Sequence, residues 1–311
     1  MSPPPRVVSL LPSATEIVCA LGLADALVGV SHECDFPPSV ARLPRVTGTR
    51  VTARDTAGIE REVRELTVSA LSIYPLDRAR LAELAPDVVI TQDLCAVCAV
   101  PRSEVERAVL ELGLAHTEIV ALSPLTLADV WADCERVGAA LGRAEAGKTL
   151  ARELRARCEA LAARTLAHTA RPSVLTIEWL DPVMIGGTWM PELVSLAGGT
   201  ALGARAGERA PVCTLAELVA FAPDVVLVKP CGFELARTRG EAALVARVIG
   251  ALGGSAAERG AVFLADGSAF FNRPGPRLVE SLEILAACLA PERFADCAAR
   301  HAAAFERWRG S

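Results

Sequence analysis

The chain has 311 residues, 52% of them hydrophobic, and a net charge of −5. That length and apolar content suffice for about two domains, each with its own core. The mild acidic balance, without any long basic run, excludes the concentrated cationic face that nucleic-acid binding needs, and no apolar run is long enough to cross a bilayer.

The first half alternates short apolar strands with helices. Residues 7–11 predict a strand, and Ser13 and Thr15 offer hydroxyl caps to the helix that follows. Residues 27–30 predict a second strand, 88–91 a third and 118–122 a fourth. Such alternation predicts a parallel sheet covered by helices. Residues 126–166 show no strand. There Gly138, Gly142 and Gly147 are expected to interrupt a first helix, and residues 144–165 predict one long helix with Leu150, Leu154, Cys158 and Leu161 on one face. A helix of about 22 residues spans roughly 33 Å, the length of a rigid strut. After Arg171-Pro172 the alternation resumes, with strands at 174–177, 225–228 and 262–265, helices at 191–196 and 277–289, and a last helix at the C-terminus. No Gly-x-Gly-x-x-Gly follows a strand and there is no Walker loop, so neither phosphate-binding signature is present.

One phrase occurs twice. Leu81-Ala82-Glu83-Leu84-Ala85-Pro86-Asp87-Val88-Val89-Ile90 returns as Leu215-Ala216-Glu217-Leu218, three extra residues, then Ala222-Pro223-Asp224-Val225-Val226-Leu227. Each copy predicts a short helix, a turn at Ala-Pro-Asp and a buried strand. A fainter echo relates residues 16–22 to 192–198. The expected fold is therefore α/β, with two similar lobes, each a parallel sheet with flanking helices, joined by one long α-helix. The lobes are placed at 1–125 and 171–311, with a helical connector over 126–170. A cleft between lobes is where a ligand is usually held.

Loops after the carboxyl ends of parallel strands meet at the ligand edge. In the first lobe these loops carry His32, Glu33 and Cys34, and Gln92, Asp93, Cys95 and Cys98. His32, Cys34, Cys95 and Cys98 have the atoms to hold zinc or another transition metal, and the cysteine pair equally reads as a redox dithiol or as small packing residues. An enzyme with a cysteine nucleophile near His32 is a further alternative, but no motif orients such a pair. In the second lobe Trp179 and Trp189 stand in glycine- and proline-rich turns, and Phe270, Phe271, Asn272 and Arg273 follow the strand at 262–265. Lys229, ending the second repeat strand, is expected to face the cleft. Glu16 and Glu192 hold matching places near helix starts, while His116, His168 and His301 look isolated.

Three phrases carry a resemblance: Ser9-Leu10-Leu11-Pro12-Ser13-Ala14-Thr15-Glu16, Cys34-Asp35-Phe36-Pro37-Pro38, and Phe271-Asn272-Arg273-Pro274-Gly275-Pro276-Arg277. With two alternating halves and one stiff helix, the chain resembles the substrate-binding proteins of metal, siderophore and cobalamin ABC importers, and within them the cobalamin-binding branch. The resemblance implies a binding protein without catalysis or a required cofactor. Its small-molecule ligand is a corrinoid, held by His32, Glu33, Gln92, Asp93, Trp179, Trp189, Phe270, Phe271, Asn272 and Arg273. A first-lobe cysteine or histidine reads equally as an axial ligand to the corrinoid cobalt. Where the family's first lobe presents large aromatics, this chain offers His32 and Glu33, and Gln92 stands where a tryptophan is often seen. The partner implied is an ABC importer permease docked by Glu16 and Glu192, with no nucleic acid and no membrane insertion. The N-terminus lacks a signal-peptide pattern and the ten cysteines form no framework, which predicts a cytoplasmic protein, or a periplasmic or extracytoplasmic one if a leader has been removed.

Overall fold

The computed structural model describes residues 4–69, 72–93, 99–165, 171–252 and 255–310. The chain divides into two units. The first comprises Met1–Arg54, Arg61–Pro124 and Ala128–Leu154, and the second Asp55–Glu60, Leu125–Leu127 and Arg155–Ser311.

The first half runs β1 (Val7–Ser9), α1 (Pro12–Ala20), β2 (Leu27–Val30), α2 (Thr56–Val68), α3 (Arg78–Leu84), β3 (Val88–Gln92), α4 (Arg102–Glu111), β4 (Glu118–Leu122), α5 (Leu127–Ala140) and α6 (Ala144–Thr165). Its four strands form one parallel sheet in the order β2-β1-β3-β4. Val8, Leu10, Val46, Leu81, Val89 and Val105 form its core on burial of their apolar side chains. Beyond β1, the Leu10 N–H still donates to the Ile90 carbonyl at 2.9 Å, and Pro12, lacking a donor, opens α1.

The glycines near residue 140 do not act as expected. Gly138 lies inside α5 and Gly147 inside α6, and neither breaks its helix. They are the point where the two backbones touch: a Cβ on Gly138 would meet Gly147 Cα at 2.8 Å, and one on Gly147 would meet the Cys134 carbonyl at 2.8 Å. Only Gly142, with φ +69°, marks the turn between the helices. On α5, the Asp133 side chain is only 2% exposed; Arg136 donates to its Oδ1 at 2.9 Å while its buried Oδ2 has no hydrogen-bond partner. Burial pushes its carboxyl up to about 7, against the pull of Arg136 and with a further push from Asp129.

The second half runs β5 (Ser173–Leu180), β6 (Val183–Ile185), α7 (Met190–Leu196), β7 (Thr200–Ala201), β8 (Val212–Cys213), α8 (Leu215–Leu218), β9 (Val225–Val228), α9 (Leu235–Gly240), α10 (Ala242–Ala251), α11 (Ser255–Glu258), β10 (Val262–Ala265), α12 (Leu278–Leu289), α13 (Ala295–Arg300) and β11 (Phe305–Arg307). The sheet order is β11-β10-β9-β5-β6-β8, with β7 beside β5. Strands β10, β9 and β5 are parallel; β11 pairs antiparallel with β10, β6 antiparallel with β5, and β8 antiparallel with β6. The sheet is therefore mixed at its margins, and the chain's last element is a strand paired with β10 rather than the expected helix. Leu175, Ile177, Val226, Val228, Val248 and Leu264 fill its core.

The repeated phrase is a structural duplication. Ala85 and Ala222, at the same place in each copy, adopt left-handed backbone with φ of 38° and 40°. The aspartate after each proline then clamps the neighbouring strand. Asp87 Oδ2 accepts the Arg6 N–H at 2.7 Å and the Asp87 N–H donates to the Arg6 carbonyl at 2.8 Å. Asp224 Oδ2 accepts the Ser173 N–H at 2.8 Å and the Asp224 N–H donates to the Ser173 carbonyl at 2.9 Å. The strand registers agree, with Val7 opposite Val88 and Val174 opposite Val225. The fainter echo is real too: α1 and α7 both end at a left-handed glycine, Gly22 and Gly198. The next N–H reaches back to Val18 at 3.1 Å and Val194 at 2.9 Å.

Candidate functional site

The register of the duplication fixes which residues stand at the carboxyl ends of the strands, where ligands of parallel sheets bind. Counting from Asp87 and Asp224, Gln92 in the first unit stands where Lys229 stands in the second. Counting from Val7 and Val174, Leu11 stands where Glu178 stands.

In the first unit this edge is a set of short hydroxyls. Thr15 Oγ1 lies 2.8 Å from Ser9 Oγ and 3.1 Å from Cys34 Sγ, all three residues being buried. Thr47 Oγ1 accepts the His32 backbone N–H at 3.0 Å and lies 2.8 Å from His32 Nδ1 and 3.2 Å from Ser31 Oγ. The His32 ring packs 5.4 Å from that of Tyr74. Its Nε2 is 3.3 Å from Glu33 Oε1 but off the hydrogen-bond direction. Gln92 belongs to β3 rather than to the loop and is 8% exposed, and the Asp93 N–H donates to the Leu122 carbonyl at 3.0 Å. Cys95 and Cys98 lie outside the described residues. Among the described residues no group of three or more His, Cys, Asp or Glu is placed to hold a metal ion. His32 turns to Thr47 and Cys34 to Thr15, so this pair takes separate partners.

In the second unit the edge is charged and aromatic. Lys229, expected at the ligand edge, is wholly buried. Its Nζ donates to Glu178 Oε2 at 3.0 Å and to Asn272 Oδ1 at 2.6 Å. The Asn272 carboxamide nitrogen donates to the carbonyls of Lys229 at 3.1 Å and Gly267 at 2.8 Å, which ties the loops after β9 and β10 together. A buried cation is tolerable only with such paired, hydrogen-bonded surroundings. Glu178 keeps 22% of its side chain exposed. Trp179 lies in β5 and is half-buried; its indole N–H donates to the Asp181 carbonyl at 3.2 Å. The ring meets Phe233 edge-on at 5.5 Å, and Arg237 Cζ stacks 3.7 Å from the Phe233 ring centroid.

Two of the expected ligand aromatics are interior. Phe271 is fully buried with φ +66°, and its N–H donates to Ser281 Oγ at 2.8 Å. Trp189, 6% exposed, donates its indole N–H to the Phe271 carbonyl at 2.7 Å. Both hold the loop in place instead of displaying a face. Phe270 stays half-buried, edge-on to His301 at 6.0 Å and under Arg277 at 5.5 Å. Arg273 is 8% exposed, with Nη2 3.4 Å from Ser268 Oγ. His301 is not isolated: it is buried and lies 2.7 Å from Glu283 Oε2. Burial opposes ionisation of Glu283, but the bonds from His301 and Arg300 outweigh it and hold the carboxyl below its ordinary range. His116 is exposed, and His168 lies outside the described residues.

The two matched glutamates differ. Glu16 lies mid-helix in α1 and is 4% exposed, so its carboxylate is not displayed for docking. Glu192 lies in the first turn of α7, and its Oε2 accepts the Leu127 N–H at 2.8 Å, capping the start of α5.

Among the described cysteines, burial pushes the Cys134 and Cys158 thiols up to about 12 and the half-buried Cys19 thiol up to about 11. Cys231 is exposed, and its N–H donates to the Glu178 carbonyl at 3.0 Å. The Glu178–Lys229 pair is what the sequence reasoning missed; the available signal was a charged residue at the same end of two strands in matching register.

Residues 7–266 match the profile of a family described as periplasmic binding protein. The chain is 26% identical over 227 residues to a vitamin B12-binding protein of Vibrio cholerae, covering 72% of this chain and 70% of that protein. A periplasmic haem-binding protein from Pseudomonas aeruginosa shares the fold with a TM-score of 0.69 at 22% identity, covering 93% of this chain and 94% of that one. A periplasmic vitamin B12-binding protein of V. cholerae does so at 0.64 and 23%, covering 92% and 97%. The expected cytoplasmic placement finds no support here, since these relatives are described as periplasmic and an extracytoplasmic placement fits. No helix among the described residues is long and apolar enough to cross a membrane. The chain belongs to the periplasmic binding protein family, a family of non-enzymatic transport components.

Proposed function

We propose that the chain binds a corrinoid at the carboxyl-terminal strand edges of its units and hands it to an ABC importer permease. The observation that carries the reading is the likeness to the V. cholerae vitamin B12-binding protein, which runs through most of both chains. A corrin is broad, partly apolar and rimmed with amides, so it calls for flat side chains and fixed polar groups. Trp179 and Phe270, both half-buried, supply the first, and Glu178, Arg273 and Gln92 the second. His32 and Glu33 stand at the first unit's edge in place of large aromatics. Calorimetric titration with cyanocobalamin, cobinamide and hemin tests the proposal. Stoichiometric binding of cobalamin or cobinamide, tighter than that of hemin, is the expected result. Binding of hemin alone would make the protein a haem carrier, and binding of none of the three would remove the tetrapyrrole reading.

A further inference from the structure

We infer that Glu178 is the residue that selects an amide-rimmed ligand over a carboxylate-rimmed one; the inference rests on the corrinoid reading above. Glu178 stands at the carboxyl end of β5, next to Trp179, and pairs across the sheet with Lys229 at the carboxyl end of β9. Lys229 is wholly buried and fixed from three sides. Its ammonium holds Glu178 Oε2 and Asn272 Oδ1, while its carbonyl accepts from the Asn272 amide. The Cys231 N–H fixes the Glu178 backbone carbonyl at 3.0 Å. Glu178 is therefore held by one oxygen. Its other oxygen, Oε1, has no hydrogen-bond partner among the described residues and is not among the buried unpartnered atoms, on a side chain 22% exposed. The side chain is a preorganised acceptor at the ligand edge.

The chemistry that such an acceptor recognises is a hydrogen-bond donor. The rim of a corrinoid carries primary amides, whose N–H groups bond well to a carboxylate oxygen. The rim of haem carries two propionates, which are acceptors of like charge and are repelled at the same place. The cation that would welcome a propionate, Lys229, is already neutralised and out of reach beneath Glu178. The corresponding place in the first unit is Leu11, so the discrimination is built into one unit only.

Titrations of the wild-type chain and Glu178→Gln with cobinamide and with hemin, alongside circular dichroism, test this. The expected result is a fall of about tenfold in cobinamide affinity with hemin affinity unchanged or raised, the loss of one charge-assisted hydrogen bond. An equal change for both ligands, or no change for either, overturns the inference while leaving the corrinoid reading intact. Failure of the wild-type chain to bind either ligand overturns that reading as well. Should Glu178→Gln not fold, Glu178→Asp, which keeps the charge but withdraws the oxygen, is expected to give the same selective fall in cobinamide affinity.

Discussion

The two units share a frame and differ at the edge it supports. Asp87 and Asp224 clamp their neighbouring strands with the same pair of bonds, and the left-handed alanines before them match within a few degrees. One turn beyond the frame the likeness ends. Leu11 and Gln92 face one edge where Glu178 and Lys229 face the other. The first edge is built from neutral hydroxyls around His32, the second from a buried ion pair, a carboxamide and aromatic rings. Backbone bonds close to the turn are needed by any sequence with this register, so they persist in both copies. Side chains at the strand ends answer to the ligand and are free to diverge.

The sharpest way to break this comparison is Lys229→Met, which leaves Glu178 without its cation inside the sheet. Urea unfolding is expected to register a loss of about 3–5 kcal/mol, against about 1 kcal/mol for Gln92→Met at the matching position. Equal losses would mean that the two edges do the same job. Removing both partners, in Lys229→Met with Glu178→Gln, is expected to cost less than the sum of the single changes.

Asp133 belongs to the first unit alone and gives it a pH dependence of its own. Its folded pKa is raised to about 7, so its contribution is fully present below the unfolded value of about 4 and is lost as pH rises through 7. Stability is expected to fall by roughly 3–4 kcal/mol over that window, and Asp133→Asn to flatten the fall, as read by unfolding at pH 4 and pH 8.

Next in size, Trp189→Phe removes the indole N–H that satisfies the buried Phe271 carbonyl and is expected to cost about 2 kcal/mol in the same unfolding experiment. The smallest effect is the most telling about the frame. Asp87→Asn and Asp224→Asn should each cost about 1 kcal/mol or less, Asp224→Asn somewhat more, because both lose the same backbone bond near the surface and Asp224 also accepts from the Ser173 hydroxyl and pairs with Arg259. The Ser173 N–H and then its hydroxyl hold the Asp224 carboxyl below its ordinary value. Its share of stability is therefore present above the ordinary carboxylate range and is lost as pH falls through the folded value.

What the sequence revealed was what local chemistry decides. Ala-Pro-Asp writes its turn into a few residues, and the strands at 27–30, 118–122, 225–228 and 262–265 and the long helix at 144–165 stand where expected. The misreadings share a cause, since each depends on a partner distant in the chain. Gly138 reads as a breaker until Gly147 is seen against it. The Asp181-Pro182 turn hides how far β5 continues, and β11 exists only because β10 offers it an edge. Lys229 looks like a free cation until Glu178 and Asn272 close around it.

The exposed Cys231 beside Glu178 has a practical use. Cys34 is buried and the Cys19, Cys134 and Cys158 thiols are held protonated, so among these described thiols a maleimide dye added to the native protein is directed to Cys231. A fluorophore there sits at the strand edge next to Trp179. It would report on occupancy of that edge by quenching as an absorbing tetrapyrrole arrives, turning the labelled wild-type chain into an optical sensor for its own ligand.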